Sequence, residues 1–311
     1  MNVFGENWTF TSFGESHGVA IGGVLDGVPA GLKIDLAMIR EELDRRAGRK
    51  PNPNPSLKGR EVGVSARAAN EPDEVEWLSG VLDGVTLGTP IAFIIRNRNA
   101  RPEDYEYLKH TYRVGHADKV YEQKYGIRDW RGGGRASARE TAARVVAGCI
   151  AKQELASKGI EIHAQLVQVG AETDPTKFAD TIAAYQQEGD SIGGIIECRI
   201  NGLPVGVGEP IFDKLQAHLA FAVMSINACK GFEYGTGFAG VTQPGSAINT
   251  ISGGISGGIS DGTEIVFRCV FKPTPSTPKA GVKGRHDACV ATRAVPVVEA
   301  MTALALINLM H

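Results

Sequence analysis

The sequence is short of cysteine, of net charge and of long apolar runs. Its five cysteines form no CxxC pair, which argues against a zinc site or a disulfide framework and favours a reducing compartment. Basic and acidic side chains number 33 and 35, and the formal net charge of -2 gives no reason to expect nucleic acid or an anionic membrane as a partner. No run of about 18 apolar residues indicates a membrane span, and the N-terminal residues do not resemble a secretory signal. We expect a cytoplasmic protein with no bound metal.

Glycine, by contrast, is abundant at 39 of 311 residues, well above the usual share of about 7%. Hydrophobic residues make up 42% of the chain, which is enough for a sizeable core. No proline-rich or serine-rich linker divides the sequence, so we expect a single domain over residues 1–311. Helical and strand-like apolar spacing both recur without a strict strand–helix alternation, which predicts an α+β fold.

The same spacing predicts individual elements. We expect helices at 35–46, 117–125, 137–158, 210–226 and from 296 to the C-terminus, and strands at 19–28, 90–95, 160–169, 194–200 and 264–270. The longest of these helices is predicted to have Ser137 as its N-cap and Gly159 just past its end. Serine is a preferred N-cap, and glycine commonly follows the last residue of a helix.

A triple glycine, Gly132 to Gly134, lies between arginines just before that helix. Glycines allow consecutive backbone N–H groups to turn toward one ligand, and a helix N-terminus attracts anions. Arg135 or Arg139 can bind a phosphate with two hydrogen bonds. The segment therefore predicts a phosphate or carboxylate site, although a tight turn with solvated arginines would have the same sequence.

Two histidines lie in glycine-bounded turns, since His17 precedes Gly18 and His116 follows Gly115. Histidine titrates near neutral pH, so both are candidates for proton transfer, although a single histidine is more often a structural hydrogen-bonding residue. Ser16 beside His17 does not indicate a hydrolase. Adjacent residues seldom align as nucleophile and base, and the sequence has no G-x-S-x-G motif.

Two other motifs lack the context that their function needs. Gly235 to Gly240 matches the dinucleotide-binding pattern G-x-G-x-x-G but does not open a predicted helix. His286 and Cys289 have a spacing that a metal could use, but no companion ligands accompany them. Neither a Rossmann site nor a zinc site is therefore expected.

Two segments have unusual composition. Residues 45–67 carry seven basic side chains against one acidic side chain and are interrupted by three prolines. We expect residues 47–60 to form a lid that becomes ordered over anionic ligands, because like charges repel until an anion offsets them. Residues 245–262 contain paired glycines, which favour close backbone contacts over the alternative of a flexible linker.

Six segments, in order, resemble the chorismate synthase family. They are FGESHG at 13–18, VGHAD and QKYGIRDWRGGGRASARETA within 114–142, SINACKGFEYG at 225–235, GGISGGISDG at 253–262, FKPTPS at 271–276 and GRHDACVATRAVPVVEAM at 284–301. The resemblance covers almost the whole chain. It implies helices sandwiched between antiparallel β-sheets, usually assembled as a homotetramer.

The resemblance also implies an activity. Members of the family are lyases of the shikimate pathway that eliminate phosphate from 5-enolpyruvylshikimate 3-phosphate, in an anti-1,4 sense, to give chorismate. They require reduced FMN although the reaction has no net redox change, and some members use NADPH to reduce it. The leaving phosphate needs protonation or charge stabilisation, and the anionic substrate and cofactor explain local arginines in a protein of balanced charge.

The resemblance assigns roles to particular residues. His17 would protonate the departing phosphate, His116 would protonate the flavin or hold its reduced form, and Asp287 would take a proton from flavin N5. Arg45 and Arg46 would contact substrate or a pyridine nucleotide. The FMN contacts would be Arg135, Ala136, Ser137, Asn227, Ala228, Gly257, Lys272, Pro273, Thr274, Pro275, Ser276 and Arg285.

The chain departs from the family pattern in three places. Asn52 stands where relatives often have an arginine, so Arg49 or Lys50 would have to replace that contact. The segment from Ser276 to Gly284 is short, and Ala288 replaces a frequent proline.

Two other functions fit the residues. A flavin reductase could use the same anion site for electron transfer, and it would consume nicotinamide nucleotide without a shikimate-pathway substrate. A non-catalytic anion-binding module would make both histidines incidental. The residues do not decide whether the flavin is reduced by this protein or by a separate reductase.

Overall fold

A computed structural model describes residues 2–49, 64–246, 252–282 and 286–310. Most of the expected lid, residues 50–60, lies outside the described residues. Lys50, Asn52 and Arg285 lie outside them as well.

The described residues form thirteen strands. In chain order they are β1 (Val3–Phe4), β2 (Thr9–Phe13), β3 (Ala20–Asp26), β4 (Val75–Ser79), β5 (Val81–Leu82), β6 (Val85–Thr86), β7 (Ile91–Arg96), β8 (Glu161–Val169), β9 (Gly194–Asn201), β10 (Cys229–Tyr234), β11 (Ile255–Ser256), β12 (Ile259–Ser260) and β13 (Ile265–Phe271). Five form an antiparallel sheet in the order β1-β2-β3-β7-β4, and four form a second one in the order β10-β13-β9-β8. The pairs β5–β6 and β11–β12 are short hairpins.

The described α-helices have the following bounds: α1 (Leu36–Ala47), α2 (Ala66–Asn70), α3 (Asp118–Tyr125), α4 (Thr141–Ser157), α5 (Phe178–Gln187), α6 (Leu215–Met224) and α7 (Ala291–Leu309). Short 3-10 turns occupy Pro102–Lys109, Gly134–Ala136, Ala138–Glu140, Pro175–Lys177 and Gly237–Thr242.

Helices α4 and α7 lie between the two sheets. Helix α4 contacts β3 of the five-stranded sheet and β8 of the four-stranded sheet, while α7 packs on α4, β8 and β9. By length and composition α7 could cross a membrane, but 83% of its apolar stretch is buried inside the protein, as expected of a core helix. The predicted α+β arrangement of helices sandwiched between antiparallel sheets is confirmed.

Close contact between the two central helices depends on Gly148. A Cβ placed there would lie 2.3 Å from the Cβ of Ala300 and 2.4 Å from its Cα. Because both obstacles belong to a buried helix, no side chain at position 148 could be accommodated without moving α4 from α7.

Several helix boundaries differ from those predicted. Helix α7 begins at Ala291 and continues through Pro296, since proline costs one backbone hydrogen bond and burial of the apolar helix offsets that loss. Helix α6 begins at Leu215 instead of residue 210. Ser137 caps the short turn Ala138–Glu140, and α4 itself begins at Thr141. Gly159 has φ of 79° just beyond α4, as predicted.

Candidate active site

A cavity of about 450 Å³ is formed by the loop before α3, the 3-10 turns before α4, the segment after β13 and the start of α7. This volume is typical of small-molecule sites. Ten of the residues that the family resemblance assigned to the site line it: His116, Ala136, Ser137, Asn227, Ala228, Lys272, Thr274, Pro275, Ser276 and Asp287. Residues more than 150 positions apart in sequence are thus brought together at one site.

A buried carboxylate holds His116 in the cavity wall. The Nδ1 atom of His116 lies 2.8 Å from Oδ1 of Asp118. Arg113 donates to the same carboxylate from Nε at 2.9 Å and from Nη2 at 2.8 Å. Burial raises the pKa of Asp118, but the hydrogen bonds from Arg113 and His116 outweigh it and hold that pKa well below its usual range. Asp118 is therefore ionised at neutral pH.

His17 lies directly behind the cavity wall. Its ring meets the ring of Tyr105 edge-on with centroids 4.7 Å apart, and both Tyr105 and Gly132 line the cavity. A Cβ at Gly132, where φ is 64°, would lie 1.9 Å from Nδ1 of His17. Only glycine allows the wall to pass this close to the imidazole.

Ser16 and His17 do interact, although they are adjacent in sequence. The Oγ of Ser16 lies 3.1 Å from Nδ1 of His17 and donates to the carbonyl oxygen of Gly132 at 3.3 Å. The two neighbours are therefore in contact, but the hydroxyl hydrogen of Ser16 is directed at Gly132 and not at His17. Ser16 is only 1% exposed, however, and its hydroxyl faces the backbone of the glycine turn instead of the cavity, so it is not presented as a nucleophile.

Two hydrogen bonds fix the orientation of Asp287 in the cavity wall. Its Oδ1 accepts from the backbone N–H of Ser65 at 2.7 Å, and its Oδ2 accepts from Nη1 of Arg293 at 2.7 Å. Arg293 also donates from Nε to the carbonyl oxygen of Arg46. These contacts link the first turn of α7 to the end of α1.

A buried ion cluster lies next to the cavity, and one of its members, Arg139, lines the cavity wall. The carboxylate of Asp73 accepts from Nη2 of Arg46 at 2.9 Å and from Nη1 of Arg139. Burial opposes ionisation of Asp73, but the charges of Arg46 and Arg139 outweigh it and lower its pKa to about 2. Burial lowers the pKa of Arg46 to about 10, with Asp73 opposing that shift. Arg46, which is 1% exposed, therefore supports the site from behind its wall.

Four other residues predicted from the sequence do not line the cavity. Arg45 projects to another face, where Nη1 donates to Glu42 at 2.6 Å and to Glu299 at 2.9 Å. Arg135 donates to Ser12 and to the carbonyl oxygen of Gly14, which ties the glycine turn to β2. Gly257 forms part of the turn between β11 and β12, and Pro273 is exposed.

Lys272 differs from the arginines that line the cavity. Arg113, Arg139 and Arg293 each have a carboxylate partner, whereas Lys272 has none within the described ranges and donates only to the carbonyl oxygen of Pro273 at 3.3 Å. Burial, with a smaller effect from Lys230, lowers the pKa of Lys272. Lys272 is the cavity cation most available to an anionic ligand.

Four residues of the site were not predicted from the sequence: Asp118, Arg113, Tyr105 and Asp73. Asp118 lies two residues after His116 and had a usable signal, because a carboxylate close to a histidine commonly orients its ring. Tyr105 and Asp73 come from segments without any motif. Among the described residues no group of three or more His, Cys, Asp or Glu side chains is arranged to hold a metal ion.

Comparisons with known proteins agree on one family. A family model described as chorismate synthase matches residues 8–311. A protein named chorismate synthase from Christiangramia forsetii is 45% identical, with 98% of this chain and 96% of the relative covered. One of the same name from Phocaeicola vulgatus is 44% identical, with 99% and 97% covered.

A solved structure gives the same result. A crystal structure of a chorismate synthase matches with a TM-score of 0.76 and 29% sequence identity, over 99% of this chain and 92% of that chain. The sequence alignments to the two relatives run over 353 and 360 positions, more than the 311 residues of this chain. The relatives therefore contain segments that this chain lacks.

Proposed function

Because the chain belongs to the chorismate synthase family and is a lyase of the shikimate pathway, we propose that its reaction takes place in the cavity beside His116 and His17. The reaction converts 5-enolpyruvylshikimate 3-phosphate to chorismate and inorganic phosphate. One C–O bond breaks with its electron pair leaving on phosphate, and one C–H bond breaks with loss of a proton. The site must therefore bind several negative charges and manage two proton positions.

We further propose that this cavity holds reduced FMN, which would lend electron density to the substrate ring while the C–O bond breaks. The donor set fits such a group. Oδ1 of Asn227 and Nε2 of His286 are buried in the wall and have no hydrogen-bond partner within the described residues. Together with the ammonium of Lys272, these atoms offer the hydrogen-bond acceptors, the donors and the positive charge that a flavin edge and a phosphate require.

Each catalytic candidate then has a role that its position supports. His116 would hold or return a proton at the cavity surface. His17 lies behind Gly132 and Tyr105 and would protonate the departing phosphate through a bridging water, since it does not line the cavity itself. Asp287 would accept a proton, since its carboxylate is fixed in the wall by Ser65 and Arg293. Lys272 would neutralise a phosphate or carboxylate of the bound molecules.

The remaining proposals concern the setting of the enzyme. A cytoplasmic location is supported by five cysteines that are all free thiols, as in reducing compartments. A homotetramer is supported by exposed apolar side chains on α6 and the turn that follows β10, including Phe221, Phe238 and Val241, because such patches commonly mark interfaces. NADPH would be needed only if this chain reduces its own flavin.

The observation that carries the proposal is the convergence of ten sequence-predicted residues on one cavity. An anaerobic titration of FMN reduced by dithionite tests whether the cofactor binds there, using Thr274→Trp to fill the cavity and Thr173→Trp, at an exposed position between β8 and α5, as the control. We expect the Thr274→Trp variant to lose flavin binding and the control to retain it. Flavin binding of equal affinity in both variants would place the cofactor elsewhere.

A further inference from the structure

We propose that Asp118 is a positioning residue that fixes His116 in the tautomer with its proton on Nδ1, so that Nε2 is the nitrogen presented to the cavity. An ionised carboxylate can only accept hydrogen bonds. At 2.8 Å from Oδ1 of Asp118, Nδ1 of His116 must therefore carry a hydrogen. This inference rests on the proposed function only for its catalytic consequence.

The position of Arg113 is consistent with this assignment. Its Nη2 lies 3.2 Å from Nδ1 of His116 and 2.8 Å from Oδ1 of Asp118. Guanidinium nitrogens only donate, so with Nδ1 protonated the Nη2 hydrogen is directed at the carboxylate. Arg113 thereby keeps Asp118 ionised and holds it against the imidazole from a second side.

The Cε1–Nε2 edge of the imidazole faces the glycine turn. A Cβ at Gly133 would lie 2.7 Å from Cε1 and 3.0 Å from Nε2 of His116. Nε2, the nitrogen that does not contact Asp118, thus lies next to the glycine turn, where Gly132 lines the cavity. With Nδ1 always protonated, Nε2 is the single atom at which His116 gains or loses a proton.

Several other charged or titratable groups share this cavity and bear on that proton. Arg113 and Asp118 contact the imidazole directly. Those on other elements that line the same space are Glu71, Tyr105, Tyr121, Arg139, Lys272, His286, Asp287 and Arg293. Among the described residues only Asp118 is a carboxylate paired with His116, so the tautomer depends on that one side chain.

The test replaces Asp118 with asparagine. An asparagine amide can turn and donate to Nδ1, which stabilises the other tautomer, so Asp118→Asn should admit the form protonated on Nε2. Glu122→Gln is the matched control, because Glu122 lies one turn further along α3 and pairs with Arg128 at 2.8 Å without touching His116.

The first readout is nitrogen NMR of the full-length protein labelled with 15N-histidine, with His116 assigned by loss of its signals in His116→Gln. We expect protonated Nδ1 and unprotonated Nε2 in the neutral imidazole of the wild type and of Glu122→Gln, and a mixed or reversed pattern in Asp118→Asn. A wild-type His116 protonated on Nε2, or an unchanged pattern in Asp118→Asn, would overturn the inference. The wild-type spectrum decides the matter even if the variant does not fold.

The second readout is turnover. Asp118→Asn should lower kcat about 10²- to 10⁴-fold, the range for loss of a correctly placed proton, while its affinity for reduced FMN stays at the wild-type level. Near wild-type kcat alongside an altered tautomer would overturn the catalytic consequence of the inference. Absence of turnover in the wild type would count against the proposed function and leave the tautomer result standing.

Discussion

His17 and Tyr105 meet edge-on, with ring centroids 4.7 Å apart, and only Tyr105 of the two lines the cavity. The buried His17 is therefore separated from the cavity by one side chain, that of Tyr105. This arrangement separates the role of His17 in proton transfer from any role in binding the cofactor.

Replacement of His17 by alanine should lower turnover about 10²- to 10⁴-fold, as expected when a positioned proton donor is removed. Affinity for reduced FMN should change little, because His17 does not line the cavity. His163→Ala is the control, since the side chain of His163 is 72% exposed on β8. Wild-type turnover in His17→Ala would remove this residue from the mechanism.

Gly132→Ala should displace His17, because the added Cβ would lie 1.9 Å from Nδ1. Gly126→Ala is a matched control with φ of 77° and no atom within 4 Å of its added Cβ. Both variants should lose about 1–2 kcal/mol of stability from the left-handed backbone, measured by urea unfolding. Only Gly132→Ala should also lose turnover, and equal activity in the two variants would show that the contact with His17 is unimportant.

Lys272→Met should weaken binding of reduced FMN or of the substrate. Loss of one charge-assisted hydrogen bond costs about 1.5–3 kcal/mol, or roughly 10- to 100-fold in Kd. Lys279→Met is the control, because Lys279 is exposed and pairs with Glu188 and Asp190. If titration calorimetry gives wild-type affinities for both ligands in Lys272→Met, the anion must be held by another group.

Asp73→Asn should destabilise the protein by about 3–5 kcal/mol, because it leaves the buried charges of Arg46 and Arg139 without their shared partner. Glu76→Gln removes an exposed ion pair with Arg96 and should cost far less, because solvent screens surface charges. Urea unfolding at neutral pH compares the two. Equal losses would show that the buried cluster contributes no more than a surface pair.

The stabilisation by Asp73 should also depend on pH. Its folded-state pKa of about 2 lies below its ordinary value of 3.8, so the stabilisation is complete above about pH 4 and is lost as the pH falls toward 2. The difference in unfolding free energy between wild type and Asp73→Asn should shrink over that interval. A difference that stays constant down to pH 2 would mean that Asp73 does not titrate in this range.

The sequence predicted those features of the site that depend only on residues close together in the chain. The glycine turn, the Ser137 cap and Gly159 lie within one continuous stretch, and the histidines lie in short motifs. The partners of the arginines could not be predicted in this way. Arg135 and Arg139 are one helical turn apart, yet Arg135 faces Ser12 on β2 and Arg139 faces Asp73, which lies 66 residues away.

Two further elements, α5 and β10, were also missed. Helix α5 is only ten residues long and buries only Phe178 and Ile182, and the cap formed by Asp174 with the N–H of Thr176 belongs to the 3-10 turn before it. Strand β10 contains Gly231 and a register shift beside it, which interrupts the alternation that identifies strands. Their positions are set by packing against the sheet and α6 rather than by propensity.

The most direct test of the account is turnover of 5-enolpyruvylshikimate 3-phosphate by the purified protein under anaerobic conditions, with FMN reduced by dithionite. Chorismate is followed by its absorbance and inorganic phosphate by a coupled assay. We expect the two products in equal amounts, dependent on reduced flavin and abolished by Thr274→Trp but not by the control Thr173→Trp. Absence of chorismate from a folded protein that binds reduced FMN would contradict the account.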